Sequence, residues 1–277
     1  MKKTAILIVL AFGSVLIYCT LDFPPWGDPS APASMHVSPR YIERTIEETS
    51  VPNVVTAVLA DYRGYDTMFE TIVIFCSGVA CLFLLRVFRQ KETETTKLYR
   101  HVPTGITLRV KGQRDLPSDS QDFERIDLMW VPYDVIVKTG CRLIVPFSQI
   151  FALYVIAHGH HSPGGGFQGG VILGASIILY AISYNLRSSL LRITEKMAAL
   201  FCGLGVFIYA GTGLLCVLSG VNYLDYAGLA PILGVDAVTA RSHGILMVEI
   251  GVGISVMAVM VHLYYNLASA GRHDEGL

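Results

Sequence analysis

Ionisable side chains inside long apolar runs are the residues of this sequence whose types and spacing could do chemistry. Glu249 lies within HGILMVEIGVGISVMAVM. A carboxylate in a bilayer is costly, so it needs a partner, water or an exchangeable cation. With the apolar run beginning at Gly244, Glu249 sits roughly 9 Å along its helix and about 140° from that helix's small residues. It addresses a different neighbour, either as a proton or cation site or as a structural Glu hydrogen-bonded to another helix. Asp66 and Glu70 are four residues apart, which places both carboxylates on one helix face. Two close carboxylates raise one pKa or attract a cation; the alternative is an Asp cap plus a Glu favoured by the positive end of a helix dipole. Lys138, Arg142 and Gln149 form a polar stripe near Pro146, a candidate kink. Snorkelling to phosphates explains Lys138 and Arg142, whereas Gln149 is deeper.

The loop from His158 to Gly170 reads HGHHSPGGGFQGG. Three histidines in four residues suggest metal, but short-spaced zinc ligands normally draw on a second pair, and none is evident. A proton relay or a pH-sensitive contact suits these histidines better. Glycines around Phe167 let the backbone turn sharply. Irregular backbone at membrane depth is tolerated only against protein or a water-filled cavity. The ending of a phosphate-binding loop is missing.

The elements that position these groups follow from composition. The chain has 277 residues, 52% hydrophobic and 16% charged, with a net charge of −1. Mean hydropathy is +0.51. Soluble domains carry about 25% charged residues. The balance excludes a disordered chain or a nucleic-acid binder and disfavours a soluble enzyme. Six apolar blocks have the length that crosses a bilayer as helix: Thr4–Thr20, Met68–Phe88, Val135–Ala157, Gln168–Tyr184, Met197–Leu218 and Gly244–Leu267. The first follows MKK but lacks a small-residue cleavage pattern, so it reads as an uncleaved helix rather than a signal peptide. With the N-terminus inside, seventeen of the 21 Lys and Arg fall on inner segments, which places both termini in the cytoplasm. The six cysteines lack a CxxC spacing and read as packing residues.

Residues 90–133 form a long polar stretch of mixed charge, read as a linker or docking surface on the inner side. It separates a two-helix front module (residues 1–89) from a four-helix back module (residues 134–277). No internal repeat of the kind that marks a self-contained secondary transporter is present. Small residues repeat on single faces: Gly170, Gly174 and Ala181; Ala199, Gly203, Ala210 and Gly213; Gly244, Gly251, Ser255 and Ala258. Such faces let membrane helices approach closely. Pro24–Pro39 is proline-rich and extended on the outer side. Val51–Ala60 is apolar but too short to span, and reads as an interfacial or re-entrant helix leading into DYRGYD.

LYVIAHGHHSPGGGFQGGVILGASIILY, together with the Glu249 segment, resembles the MnhB/MrpB family of membrane subunits of Mrp-type sodium/proton antiporters, with relatives in membrane-bound hydrogenases. The matching element is His160, Pro163, Gly164 to Gly166 and Phe167. The stretch APASMHVSPRYIERTIEETSVPNVVTAVLADYRGYDTMFETIVI is similar to the C-terminal end of the large MrpA subunit and to the separate MbhE subunit of hydrogenase complexes. His36, Pro39, Asp66 and Glu70 hold matching positions. A free-standing MnhB protein would contain only the back module, so this chain looks like two subunits joined.

The resemblance implies an all-α membrane protein of about six transmembrane helices in the cytoplasmic membrane. It implies a subunit without its own catalytic centre, cofactor or metal, working beside large complex-I-like antiporter subunits and small membrane subunits. Na+ and H+ are the implied ions and the lipid bilayer the implied surroundings; nucleic acid is not a partner. Three readings stay open. The chain contributes to or shapes the ion path of an antiporter, belongs to the ion-translocating module of a hydrogenase or related redox pump, or serves assembly alone.

Overall fold

The structure, a computed structural model, describes residues 2–87, 96–111, 122–125 and 135–269. Among the described residues six helices are long and apolar enough to span: Lys3–Asp22, Gly64–Leu85, Val135–Ala157, Gly166–Tyr184, Glu195–Leu218 and Ala237–Ala268. The chain divides into two units, Met1–Thr45 and Ile46–Leu277.

The first unit holds α1 (Lys2–Cys19), a 3-10 turn (Thr20–Asp22), a π-turn (Ala33–Val37) and the start of α2 (Ser38–Thr49). No described residue of α1 is buried. That suits an apolar helix whose solvent is lipid.

The second unit begins at the end of α2 and continues through the short α3 (Val54–Ala57), a π-turn (Val58–Tyr62) and α4 (Gly64–Val87). Three strands follow, β1 (Thr96–His101), β2 (Thr107–Lys111) and β3 (Phe123–Arg125). They form an antiparallel sheet of order β2-β1-β3, with Tyr99 opposite Leu108 and Arg125. The polar stretch read as a linker or docking surface carries this sheet; residues 88–95, 112–121 and 126–134 lie outside the described residues. The bundle is α5 (Val135–Ala157), α6 (Gly166–Tyr184), α7 (Leu186–Leu190), α8 (Glu195–Leu218), α9 (Ala230–Leu233) and α10 (Ala237–Ala268).

α10 is the most buried of the six candidate spans. Its start is fixed by Asp236, whose Oδ2 accepts from the amides of Val238 and Thr239 at 3.1 Å each. A side-chain oxygen in that place satisfies amides that have no partner inside the helix. The helix therefore begins seven residues before the expected Gly244. Polar residues in those first two turns hid the start from a hydropathy reading, because the cap and the backbone ladder do not depend on apolar content. Counted from Ala237, Glu249 lies about 18 Å along the helix at 1.5 Å per residue, close to its middle.

Glycines set how closely the helices approach α10. A Cβ on Gly170 would lie 2.6 Å from the Gly253 carbonyl oxygen, and one on Gly251 would lie 2.8 Å from that of Gly205. Ser255 donates to the Cys202 carbonyl at 3.2 Å. The small-residue faces expected on α6 and α10 are packed faces. The face expected on α8 is packed at Gly213, where a Cβ would press on the Tyr223 ring, but is displaced nearer the start of the helix. Ala199 is exposed, and nothing lies within 4 Å of a Cβ on Gly203. The buried residues are Ala198, Cys202, Gly205, Tyr209, Thr212, Gly213 and Cys216. This buried face is set by what α10 presents, since Gly205 meets Gly251 and Ser255. Residue size alone did not reveal that rotation.

Candidate functional site

Asn53 builds the site from its own side chain outward. Its Oδ1 accepts from the amides of Val55 and Thr56 and so caps α3. Its Nδ2 donates to the carbonyls of Gly159 at 2.8 Å and Ser162 at 2.9 Å. Its amide donates to the His160 carbonyl at 2.9 Å, and the Thr56 hydroxyl donates to Gly159 at 2.9 Å. The short apolar helix is thus stitched to the histidine–glycine loop. The following turn is tied down as well. Tyr226 donates its hydroxyl to the Ala60 carbonyl at 2.9 Å, and Tyr209 to that of Gly64 at 2.8 Å. Arg241 on α10 donates two hydrogen bonds to Asp61, at 2.8 and 3.0 Å.

Between these elements lies a cavity of about 780 Å³, walled by α3, by Glu70 on α4, by the loop through Pro163 to Gly165, by Phe167 and Gln168, and by Glu249. Gly164 holds a φ of +128°, which a residue with a side chain rarely adopts. The carboxyl group of Glu249 is enclosed by main chain. A Cβ on Gly159 would lie 2.7 Å from its Oε2, and one on Gly165 would press on its Oε1. A Cβ on Gly166 would overlap the backbone carbonyl of Glu249. Glu249 is 8% exposed, and its Oε2 has no hydrogen-bond partner among the described residues. A buried acceptor without a partner carries the full desolvation penalty unless a proton or cation supplies one. Two acids, Glu70 and Glu249, line the cavity, and no Lys or Arg is among its lining residues. Oxygen donors and negative charge are the chemistry of a hard cation or of proton exchange.

Comparison with known proteins follows the same division of the chain. Residues 136–262 match the family model described as a domain related to the MnhB subunit of Na+/H+ antiporter. A Staphylococcus aureus protein named as antiporter subunit mnhB2 is 31% identical over 130 residues, covering 45% of this chain and 92% of that one. This chain belongs to the MnhB family. Residues 8–101 match a second family model, MbhE of the MBH complex. An uncharacterized protein of Methanocaldococcus jannaschii is 30% identical over 200 residues, covering 69% of this chain and 66% of its own length. Two solved structures share the fold at 24% identity. One is a chain of the membrane-bound sulfane sulfur reductase, an archaeal respiratory complex, with TM-score 0.59 and coverage of 96% of this chain and 97% of that one. The other is a chain of the Mrp complex from a Dietzia species, with TM-score 0.60, of which this chain spans 26%. The chain is a multi-pass membrane protein.

The MnhB region supplies the glycine loop and Glu249, and the MbhE region supplies α3 and Glu70. Of the residues singled out in the sequence, Glu70, Glu249, Pro163 and Phe167 meet at this cavity. The others stand elsewhere. Asp66 is exposed and pairs with Arg63. His160 is buried with Nε2 donating to the Ser242 carbonyl at 3.1 Å; burial pushes its pKa below the ordinary histidine value, and the carbonyl only partly offsets this. Its neighbour His161 is the loop histidine that reaches the cavity. Lys138 is half-buried with its ammonium 5.1 Å from the centre of the Tyr184 ring, Arg142 is exposed and Gln149 is half-buried; none lines the cavity. His36 lies in the π-turn of the first unit and Pro39 at the start of α2. Among the described residues, no group of three His, Cys, Asp or Glu is placed to hold a metal.

Asn53, Thr56 and the Asp61–Arg241 pair were missed in the sequence. Asn53 directly precedes an apolar helix, a cap signal that was available. Nothing in the sequence paired Asp61 with a residue 180 positions away.

Proposed function

We propose that this MnhB protein is a non-catalytic membrane subunit of a multisubunit Mrp-type monovalent cation/proton antiporter. In this reading it sits in the cytoplasmic membrane with both termini cytoplasmic, beside large complex-I-like subunits and small membrane subunits. Residues 1–89 and 134–277 act as two joined subunits, and residues 90–133 form the cytoplasmic joint. Na+ and H+ are the transported ions, and the Glu70–Glu249 cavity is part of their path. The observation that carries this reading is the buried Oε2 of Glu249, without a hydrogen-bond partner among the described residues, in a cavity lined by a second acid and by no Lys or Arg. The charge bias along the sequence supports the orientation.

Sodium-dependent proton flux in vesicles carrying the whole complex tests it. Glu249→Gln and Glu70→Gln each lower the flux at least tenfold with assembly unchanged, while Asp66→Asn leaves it near wild type. Wild-type flux in both acid variants, with normal assembly, removes the ion-path role. A second reading places the chain in the membrane module of a redox-driven pump. It is favoured by the match to the MbhE model and by the end-to-end fold likeness to a respiratory-complex chain. Identification of the chains that co-purify in mild detergent separates the two.

A further inference from the structure

We infer that the β1–β2 hairpin is a docking surface for the bilayer itself: its turn enters the headgroup layer, and Arg100 and Arg109 bind anionic lipid headgroups beside it. An exposed apolar tip stands next to exposed cations, on a sheet whose chain leads into a membrane span at each end. The ion path plays no part in this inference. Eight residues separate Val87, the end of α4, from Thr96, and nine separate Arg125 from Val135, the start of α5. Fully extended at about 3.6 Å per residue, tethers of that length keep the sheet within roughly 30 Å of the surface where both spans emerge.

The turn is held in shape. The His101 amide donates to the Ile106 carbonyl at 2.9 Å, and the Gly105 amide to the His101 carbonyl at 2.8 Å. Gly105 takes a φ of +70°, which a residue without a Cβ adopts at no cost. Nδ1 of His101 lies 2.6 Å from the Thr104 hydroxyl, and its ring packs on Phe123 of β3 with centres 4.9 Å apart. What this frame holds out is apolar: Val102 and Ile106 are 55% and 58% exposed. The register pairs Leu98 with Arg109, Arg100 with Thr107 and Thr96 with Lys111, so Arg100, Arg109 and Lys111 hold positions on one face. Arg100 and Arg109 are exposed. Like charges on neighbouring strands repel, and a layer of anions relieves that. Two acids stand on the β3 side: Glu124 pairs with Arg100 in the register, and Asp122, whose carbonyl accepts from the Val102 amide at 2.8 Å, is exposed. The cationic side is therefore that of β2. Arg100 lies two residues before Val102 and Arg109 three beyond Ile106, about 7 and 10 Å back from the tip along the strands. The headgroup layer is about 5–8 Å thick, so a tip at the edge of the hydrocarbon brings both cations to its outer half. Two isolated apolar side chains ringed by charge suit that layer better than a protein partner, whose contact core would be depleted of charge.

The test uses the full chain in its complex, in nanodiscs, where both bilayer faces are reachable and the outcome is independent of orientation. A nitroxide on Thr107→Cys, an exposed position of β2, reports its distance from nickel chelated to a lipid headgroup, with the parent chain treated alike as background. Relaxation of the label is expected to be strong in discs of equal parts phosphatidylcholine and phosphatidylglycerol and weaker in phosphatidylcholine alone. Each cation beside an anionic surface weights the docked state about fivefold, so Arg100→Gln with Arg109→Gln lowers the docked-to-undocked ratio about 25-fold, whereas Arg100→Lys with Arg109→Lys keeps it. Val102→Ser with Ile106→Ser lowers relaxation in both lipids. Relaxation missing from both compositions, as for a sheet seated on another subunit or standing in water, overturns the inference. So does relaxation equal in both lipids and indifferent to the double Gln variant, since the tethers alone then account for it.

Discussion

Replacing Arg241 by Met isolates the tie that holds the turn before α4 onto α10. Asp61 and Arg241 are joined by two hydrogen bonds of 2.8 and 3.0 Å, with side-chain exposures of 7% and 23%. Removing the guanidinium leaves a buried carboxylate with its counter-charge gone, a change that costs about 3–5 kcal/mol. The pair as a whole is worth much less. Burial pushes the Asp61 carboxyl above the ordinary carboxylate range by more than Arg241 pulls it down, and the negative charges of Asp225 and Glu48 push the same way. A value raised in the fold means that Asp61 favours the fold when protonated. That contribution is present below the ordinary carboxylate value and is lost as pH rises through the raised one. Arg241→Met is therefore expected to lose about 3–5 kcal/mol at pH 7 and clearly less at pH 4. Asp61→Leu combined with Arg241→Met recovers to within about 1 kcal/mol of wild type, because the ion pair roughly breaks even against apolar replacements. The assay is reversible unfolding by dodecyl sulfate in mixed micelles, run as a double-mutant cycle. A single variant indistinguishable from wild type, or a double variant no better than Arg241→Met, refutes the reasoning.

Other expectations follow from the same contacts. Tyr226→Phe leaves the buried Ala60 carbonyl without its donor and lowers stability by about 1–3 kcal/mol in the same assay. Gly166→Ala cannot be accommodated against the Glu249 backbone and abolishes the folded complex in size-exclusion profiles, whereas Gly203→Ala, with open space around it, is neutral or slightly stabilising. Asn53→Ala removes three donor contacts and a helix cap; it is expected to speed proteolysis of the loop through Ser162 well before the bundle unfolds.

The spans were legible in the sequence because a bilayer imposes one length and one polarity on any helix that crosses it. Glu249 and Glu70 were legible for the same reason, as charge where charge is expensive. That they face one cavity was not, since the sequence alone gives each helix its face and not the neighbour the face meets. The start of α10 was misjudged because Asp236 acts through a hydrogen bond and hydropathy averages do not register one. The α8 face was misjudged because Gly203 is small without being in contact. Asp61 and Arg241 looked like loop charges until the fold set them side by side.

The glycine wall around Glu249 has a consequence for speed. Gly159, Gly165 and Gly166 possess no rotamers, so this part of the surroundings cannot swing a side chain to follow a charge that comes or goes. It answers with peptide dipoles already fixed in direction, and the main moving part on that side is the carboxyl group itself. On the proposed ion path, an ion or proton exchanging there would meet a medium that is polar yet stiff, with little reorganisation to undo at each turn. The same stiffness leaves no slack for a methyl group, so on the proposed path one and the same backbone would set both tolerance to substitution and ease of exchange.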